Sequence, residues 1–271
     1  MNTASHRVLL SGGLELHYHE AGRGEPLVFL HGGGPGASGQ SNYQRNFTYF
    51  AERGYRVLMP DLIGWGQSSK PAGLTYNFEL LAGSLRAWLR ALNIERCSFV
   101  GNAMGGSVAL SLALDTPALV SRLVLLAPAG IADPQMYAQM PGLKALITLV
   151  TGGRPYTAES MRELFALMYH SPLDIDERVV AERTAAANTQ PADLYANLKL
   201  DSHKDRLHEL SCPTLLFWGA SDNFCPLESS SGFLKQCSGA RLVAVAACGH
   251  WLHFEQAELF NRLTLDFLRN G

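Results

Sequence analysis

The 271-residue sequence lacks any marked charge imbalance, with 22 Lys and Arg against 24 Asp and Glu and no run of like charge. A polyanion or an anionic bilayer is held by a basic stripe, so neither nucleic acid nor a membrane surface is expected as a partner. Long apolar runs are missing too, since Gly, Pro or Ser interrupts each one well short of the roughly 20 residues that span a bilayer. The opening stretch, Met1 to Arg7, has no apolar core of the kind a secretory signal needs, and the expected location is the cytoplasm. Cysteine is scarce: five residues, at 97, 212, 225, 237 and 248, form no Cys-x-x-Cys pair. Their odd number and scatter argue against a disulfide framework or a structural zinc site, and reduced thiols, mostly in the core, are expected. Neither an internal repeat nor a low-complexity segment occurs.

What is present is apolar, at 47% hydrophobic residues, enough for one large α/β domain or two small ones. Val8 to Leu10 and Leu14 to Tyr18, parted by Ser11-Gly-Gly13, have the alternation of a hairpin. Pro26 to Leu30 is a continuous apolar run, as in a strand buried on both faces. A helix is expected over 41–53, a strand over Tyr55 to Met59, and Phe78, Leu81, Leu85, Trp88, Leu89 and Leu92 recur at helical spacing. Cys97 to Val100 and Arg122 to Ala127 are further buried-strand runs. Strands alternating with helices predict a mostly parallel sheet covered on both faces, the α/β class. From 131 to 207 the pattern changes to helical periodicity with several prolines and no convincing strand. This predicts a helical cap inserted between core segments 1–130 and 208–271. Strands resume at Pro213 to Trp218 and Arg241 to Val245, and an amphipathic helix from about Glu255 to Arg269 closes the chain.

Three motifs bear on chemistry. Gly101 and Gly105 flank position 103 where a strand turns sharply into a helix, the spacing of a nucleophile elbow, in which crowding admits no side chain on either flank. The residue between them is Ala103, which can neither attack a carbonyl nor carry a proton. The glycine loop His31 to Gly39 has three readings. Gly34-Pro-Gly36-Ala-Ser-Gly39 fits Gly-x-Gly-x-x-Gly, with Asp61 placed as a ribose-binding acid. A phosphate loop is the second, although Gln40 stands where a lysine would be needed. In the third, the glycines let backbone amides approach a developing oxyanion. Asp222 and His250 each lie just past a strand, and alone each is an ordinary turn acid or histidine. Together with position 103 they fall in the order nucleophile, acid, histidine of an α/β-hydrolase.

His31 to Asn46, Gly101-Asn-Ala-Met-Gly-Gly106 and Cys248-Gly-His-Trp251 resemble the meta-cleavage-product hydrolases. These α/β-hydrolase-fold enzymes cut a carbon-carbon bond in 2-hydroxy-6-oxohexa-2,4-dienoates formed by ring fission of catechols. The resemblance implies that position 103 is the nucleophile, His250 the base and Asp222 its orienting acid, and that Gly33 and Met104 supply oxyanion amides. It places Gly34, Asn42, Asn102, Arg183 and Trp251 against the substrate's carboxylate and adjacent oxygen. It further implies a homo-oligomer and a reaction that needs no metal or organic cofactor. Phe165, Met168 and Tyr169 are expected to wall the variable end of the pocket. The departure is Ala103, where the family has serine, which makes this chain a nucleophile-to-alanine variant expected to be nearly inactive. Survival of Asp222, His250 and the glycine loop favours a change that holds substrate without turning it over. A carboxylesterase of the same fold, a non-catalytic binding protein and a dinucleotide-dependent oxidoreductase are the alternatives.

Overall fold

Strand β1 (Ala4–Leu9) folds back on β2 (Glu15–Ala21) in an antiparallel hairpin, so the alternating amino-terminal segment forms the sheet's outer edge. Then come β3 (Glu25–Leu30), β4 (Tyr55–Pro60), β5 (Cys97–Asn102), β6 (Val120–Leu126), β7 (Thr214–Gly219) and β8 (Ala240–Val245). They form one eight-stranded sheet of order β1-β2-β4-β3-β5-β6-β7-β8, parallel from β4 onward. All six residues of β5 and of β7 are buried, as continuous apolar runs require when helices cover both faces. This is a computed structural model, and it describes residues 3–153 and 155–271. Met1 and Asn2 of the first expected core segment, and Arg154 of the expected cap, lie outside the described residues.

The helices between the strands are α1 (Gly39–Tyr43), α2 (Phe47–Ala51), α3 (Phe78–Ala91) and α4 (Met104–Asp115). The single helix expected over 41–53 is broken in two. Asn46, between the halves, turns inward and donates to the His253 carbonyl and to Asn261 Oδ1, both at 2.9 Å, a tertiary demand invisible in local periodicity. Helix α4 is buried from Met104 through Ala113, which explains why its small and apolar residues show no polar stripe.

Residues 131–207 carry α5 (Pro134–Tyr137), α6 (Pro141–Thr151), α7 (Ala158–Met168) and α8 (Glu177–Ala187). Among the described residues this segment has no named strand, only an isolated bridge from Leu198 to Tyr76. The chain returns through β7, α9 (Ser229–Gln236) and β8, and ends in α10 (Leu252–Glu255) and α11 (Ala257–Asn270). The five cysteines are unpaired, four of them buried. No described helix is long and apolar enough to cross a membrane.

Candidate active site

In an open parallel sheet the loops past the strands' carboxyl ends gather into one crevice, and the sequence puts its chemistry there. After Asn102 the chain makes the sharp turn at Ala103, with φ 48° and ψ −114°, and enters α4 at Met104. Its amide donates to the Leu126 carbonyl at 2.9 Å, and its carbonyl accepts from Ser107 and Ala129, each at 3.1 Å. A Cβ on Gly101 would lie 2.6 Å from the Gly105 carbonyl oxygen, and one on Gly105 would run into the Leu30 carbonyl. Both flanking glycines are therefore steric requirements.

Asp222 follows β7 in a tight turn, its Oδ1 accepting the amides of Phe224 and Cys225 at 2.7 and 3.0 Å. Its Oδ2 accepts from His250 Nδ1 at 2.8 Å. With Nδ1 protonated toward the carboxylate, Nε2 is the basic nitrogen, and His250 lines the cavity together with Ala103. The histidine is held from three sides: its amide donates to the Met168 carbonyl at 2.7 Å, the Phe224 ring lies 5.0 Å away, and Gly249 N–H donates to Glu255 at 2.7 Å. Burial raises the Glu255 carboxyl above its usual range despite two amide donors.

The glycine loop leaves β3 at His31. This fully buried ring donates from Nδ1 to the Gly32 carbonyl at 2.8 Å and accepts at Nε2 from the Leu62 amide at 3.0 Å. Burial pushes its pKa down to about 4, so it is a neutral staple. A Cβ on Gly33 would come within 2.8 Å of Met104 Sδ, which shows how closely the loop lies over the start of α4. Met104, as the first helical residue, has an amide with no intrahelical acceptor, and both Gly33 and Met104 border the cavity. Asp61, the acid of the dinucleotide reading, faces the other way. It is buried, accepts from His17 and from the amides of Gly39 and Gln67, each at 2.8 Å, and has no place on the cavity wall.

Arg183, on α8, is 2% exposed and enters no salt bridge among the described residues. Its Nη2 donates to Asn42 Oδ1 at 3.1 Å, its Nε has no partner, and its guanidinium lies 4.8 Å from the Trp251 ring centre. Burial pulls its pKa down to about 10, with Glu182 opposing only in part. It remains a cation at neutral pH, buried, with no salt bridge among the described residues, and faces the cavity with Gly34, Asn42 and Trp251. Asn42 is held in turn by the His253 ring, whose Nε2 lies 3.0 Å from the Asn42 carbonyl oxygen. Burial lowers the His253 pKa to about 3.

The cavity of about 1150 Å³ runs between the strand ends and segment 131–207. Asn102 and Met168 line it, whereas Phe165 and Tyr169 stand behind Trp251, with ring centres 5.3 and 5.9 Å from that indole. The apolar wall is instead built by α6, through Leu143, Leu146, Ile147 and Val150. Sequence reasoning also missed Tyr195, whose hydroxyl donates to the Gly33 carbonyl at 3.0 Å, and Gln190, which accepts the Gly36 amide at 3.0 Å. Neither lies in a motif. His253 alone had a signal, as a second histidine one helical turn past His250.

The α/β-hydrolase-fold family matches residues 25–257. A 2-hydroxy-6-oxo-6-phenylhexa-2,4-dienoate hydrolase of Comamonas testosteroni is 36% identical over 94% of this chain and 91% of its own length. A 2-hydroxy-6-oxononadienedioate/2-hydroxy-6-oxononatrienedioate hydrolase of the same species is also 36% identical, over 94% and 92%. Among solved structures, a meta-cleavage product hydrolase from Pseudomonas fluorescens IP01, a serine-to-alanine mutant complexed with acetates, superposes with a TM-score of 0.85. It has 28% identity, and 97% of each chain is covered.

Proposed function

The chain belongs to the α/β-hydrolase-fold family and, within it, to the meta-cleavage-product hydrolases, and from that premise we propose that its cavity binds 2-hydroxy-6-oxohexa-2,4-dienoates with Arg183 on their carboxylate. The observation that carries this reading is the buried guanidinium with no salt bridge among the described residues, in the same cavity as His250, the partner of Asp222. A desolvated cation is costly unless an anion completes it, and a planar guanidinium receives a carboxylate through two parallel hydrogen bonds. Asn42, held by His253, and Asn102 and Trp251 complete that end, with Gly34 leaving room for the carboxylate. Segment 131–207 acts as the cap that roofs it.

In the reaction of this family the dienol is first converted to its keto form, which makes the bond beside the 6-oxo carbon breakable. His250 moves that proton, and Asp222 fixes the tautomer that leaves Nε2 free to do so. In the serine enzymes of this family the serine oxygen then attacks the 6-oxo carbon, its proton passing to the histidine. This places negative charge on the carbonyl oxygen, where the Gly33 and Met104 amides receive it. Collapse breaks the bond to C5, the electron pair passing into the keto fragment and leaving an acyl-serine. Water completes the hydrolysis, giving 2-hydroxypenta-2,4-dienoate and a carboxylic acid. Ala103 withholds the attacking hydroxyl and nothing else, so this chain binds and orients its substrate while turnover is nearly abolished. Loss of a triad serine lowers turnover by about a millionfold in a serine protease. The family resemblance supports a homo-oligomer and a cytoplasmic setting.

A titration of the chain with a yellow 2-hydroxy-6-oxodienoate, followed by its absorbance, tests the binding half: saturable binding with persistence of the dienoate is expected. Ala103→Ser tests the chemistry and should bleach the chromophore rapidly with stoichiometric acid formation. A serine variant that binds the dienoate without cleaving it, or that cleaves only simple esters, would overturn the assignment.

A further inference from the structure

The two relatives of equal identity act on substrates that differ in one respect, an uncharged phenyl group or a second carboxylate beyond the 6-oxo carbon, and overall similarity does not choose between them. We infer that this cavity takes a bulky, uncharged apolar group on the 6-oxo carbon and rejects a second carboxylate, with α6 and Asp201 as the determinants. The inference rests on the reading above for where the first carboxylate sits.

Arg183, against Gly34 and Asn42, is the only Lys or Arg among the described lining residues. With the carboxylate there and the 6-oxo carbon at Ala103, the rest of the substrate passes the Ala129–Gly130 turn, whose Ala129 amide is bonded to Ala103. Beyond that turn the wall is α6. Leu143, Leu146 and Val150 are only partly covered, and Ile147 is 52% exposed although it borders the cavity. These side chains keep apolar surface uncovered, and an aryl or branched alkyl group would cover it at about 25 cal/mol per Å² of apolar surface. Asp201 is the one Asp or Glu on the wall. It lies beside Gly130, whose Cβ position would be 3.4 Å from the Asp201 carbonyl oxygen. A second substrate carboxylate would lie against this apolar wall with no cation beside it among the described residues, and with the exposed Asp201 at the rim of the same cavity.

The experiment compares two probes on the chain with Ala103 in place: 2-hydroxy-6-oxo-6-phenylhexa-2,4-dienoate and 2-hydroxy-6-oxononadienedioate. The phenyl compound should bind at least tenfold more tightly. Ile147→Lys puts a cation on the apolar wall at a half-exposed position and should shrink that preference at least threefold. Asp201→Asn should shrink it by less, and more at low salt than at high salt. Equal binding, or tighter binding of the dioate, overturns the inference and leaves the proposed function standing. Failure of both probes to bind overturns both. An unaltered preference in Ile147→Lys and Asp201→Asn would refute the two determinants.

Discussion

At the scale of single residues two positions stand out, an alanine in the sharp turn into α4 and a buried arginine with no salt bridge among the described residues. Ala103 keeps a backbone at φ 48°, a region that costs a residue with a Cβ about 1–3 kcal/mol. Ala103→Gly should therefore stabilise the fold by about 1 kcal/mol, the strain relieved less the 0.4–1 kcal/mol of unfolded-chain entropy that glycine restores. Urea unfolding at pH 7 measures it, and a net loss would show that the elbow imposes no strain at this position. Arg183→Ala should weaken dienoate binding by about 2–5 kcal/mol, the range for removing one partner of a desolvated charge pair. Calorimetric titration of the two proteins checks this, and unchanged affinity would remove Arg183 from the site. Asp222 and His250 were legible in the sequence as chemical residues at the ends of obvious strands, and position 103 through the two glycines that flank it. Arg183 was legible only through the family resemblance, since an arginine on a helix of mixed polarity carries no local mark of being buried. Phe165 and Tyr169 were read as pocket wall from apolarity alone, which does not distinguish a side chain facing the cavity from one supporting Trp251.

The elements explain why the elbow and loop can meet at all. Strand β5 and helix α4 pack so closely that the flanking positions have no room for a methyl group, and β3 runs directly beneath them. Gly105→Ala and Gly101→Ala should each destabilise by about 1–3 kcal/mol or more, because the atoms met are backbone carbonyls that cannot swing away. Thermal unfolding measures the loss, and near-wild-type stability in both variants would contradict the packing described. The strands were readable because a sheet covered on both faces needs unbroken apolar runs. The division of the 41–53 segment was not, since Asn46 turns inward for Asn261 and the His253 carbonyl, more than 200 residues away in sequence. Helix α6 lies within the stretch read only as helical in period, 131–207, and its role was not legible because periodicity shows which face is apolar and not whether protein or ligand covers it.

For the whole molecule, the consequence is a dependence on pH that originates away from the chemistry. His31 and His253 are fully buried, and burial lowers their pKa values to about 4 and about 3, while in the unfolded chain a histidine titrates near 6.5. Above pH 6.5 both states hold these rings neutral, and they add no pH dependence. As the pH falls below 6.5 the unfolded chain takes up protons that the folded one refuses, so stability declines, by up to about 1.4 kcal/mol per pH unit for each ring. The decline ends near pH 4 for His31 and near pH 3 for His253. Glu255 and Glu182, both raised by burial, act in the opposite sense just above the ordinary carboxylate value, while His19 and His203, also lowered by burial, act in the same sense as His31 and His253. Unfolding free energies from urea titrations should therefore fall steeply between pH 6 and pH 4 and be nearly flat between pH 7 and pH 8. In the folded protein the two rings stay neutral down to about pH 4 and about pH 3, so the His31 staple and the hold of His253 on Asn42 persist through the decline, and over that range dienoate binding should be lost only as the chain unfolds. Histidine proton resonances followed from pH 8 to pH 5 give the direct check. The His31 and His253 rings should not titrate in that range, and a midpoint near 6.5 for either would remove it as a source of acid sensitivity.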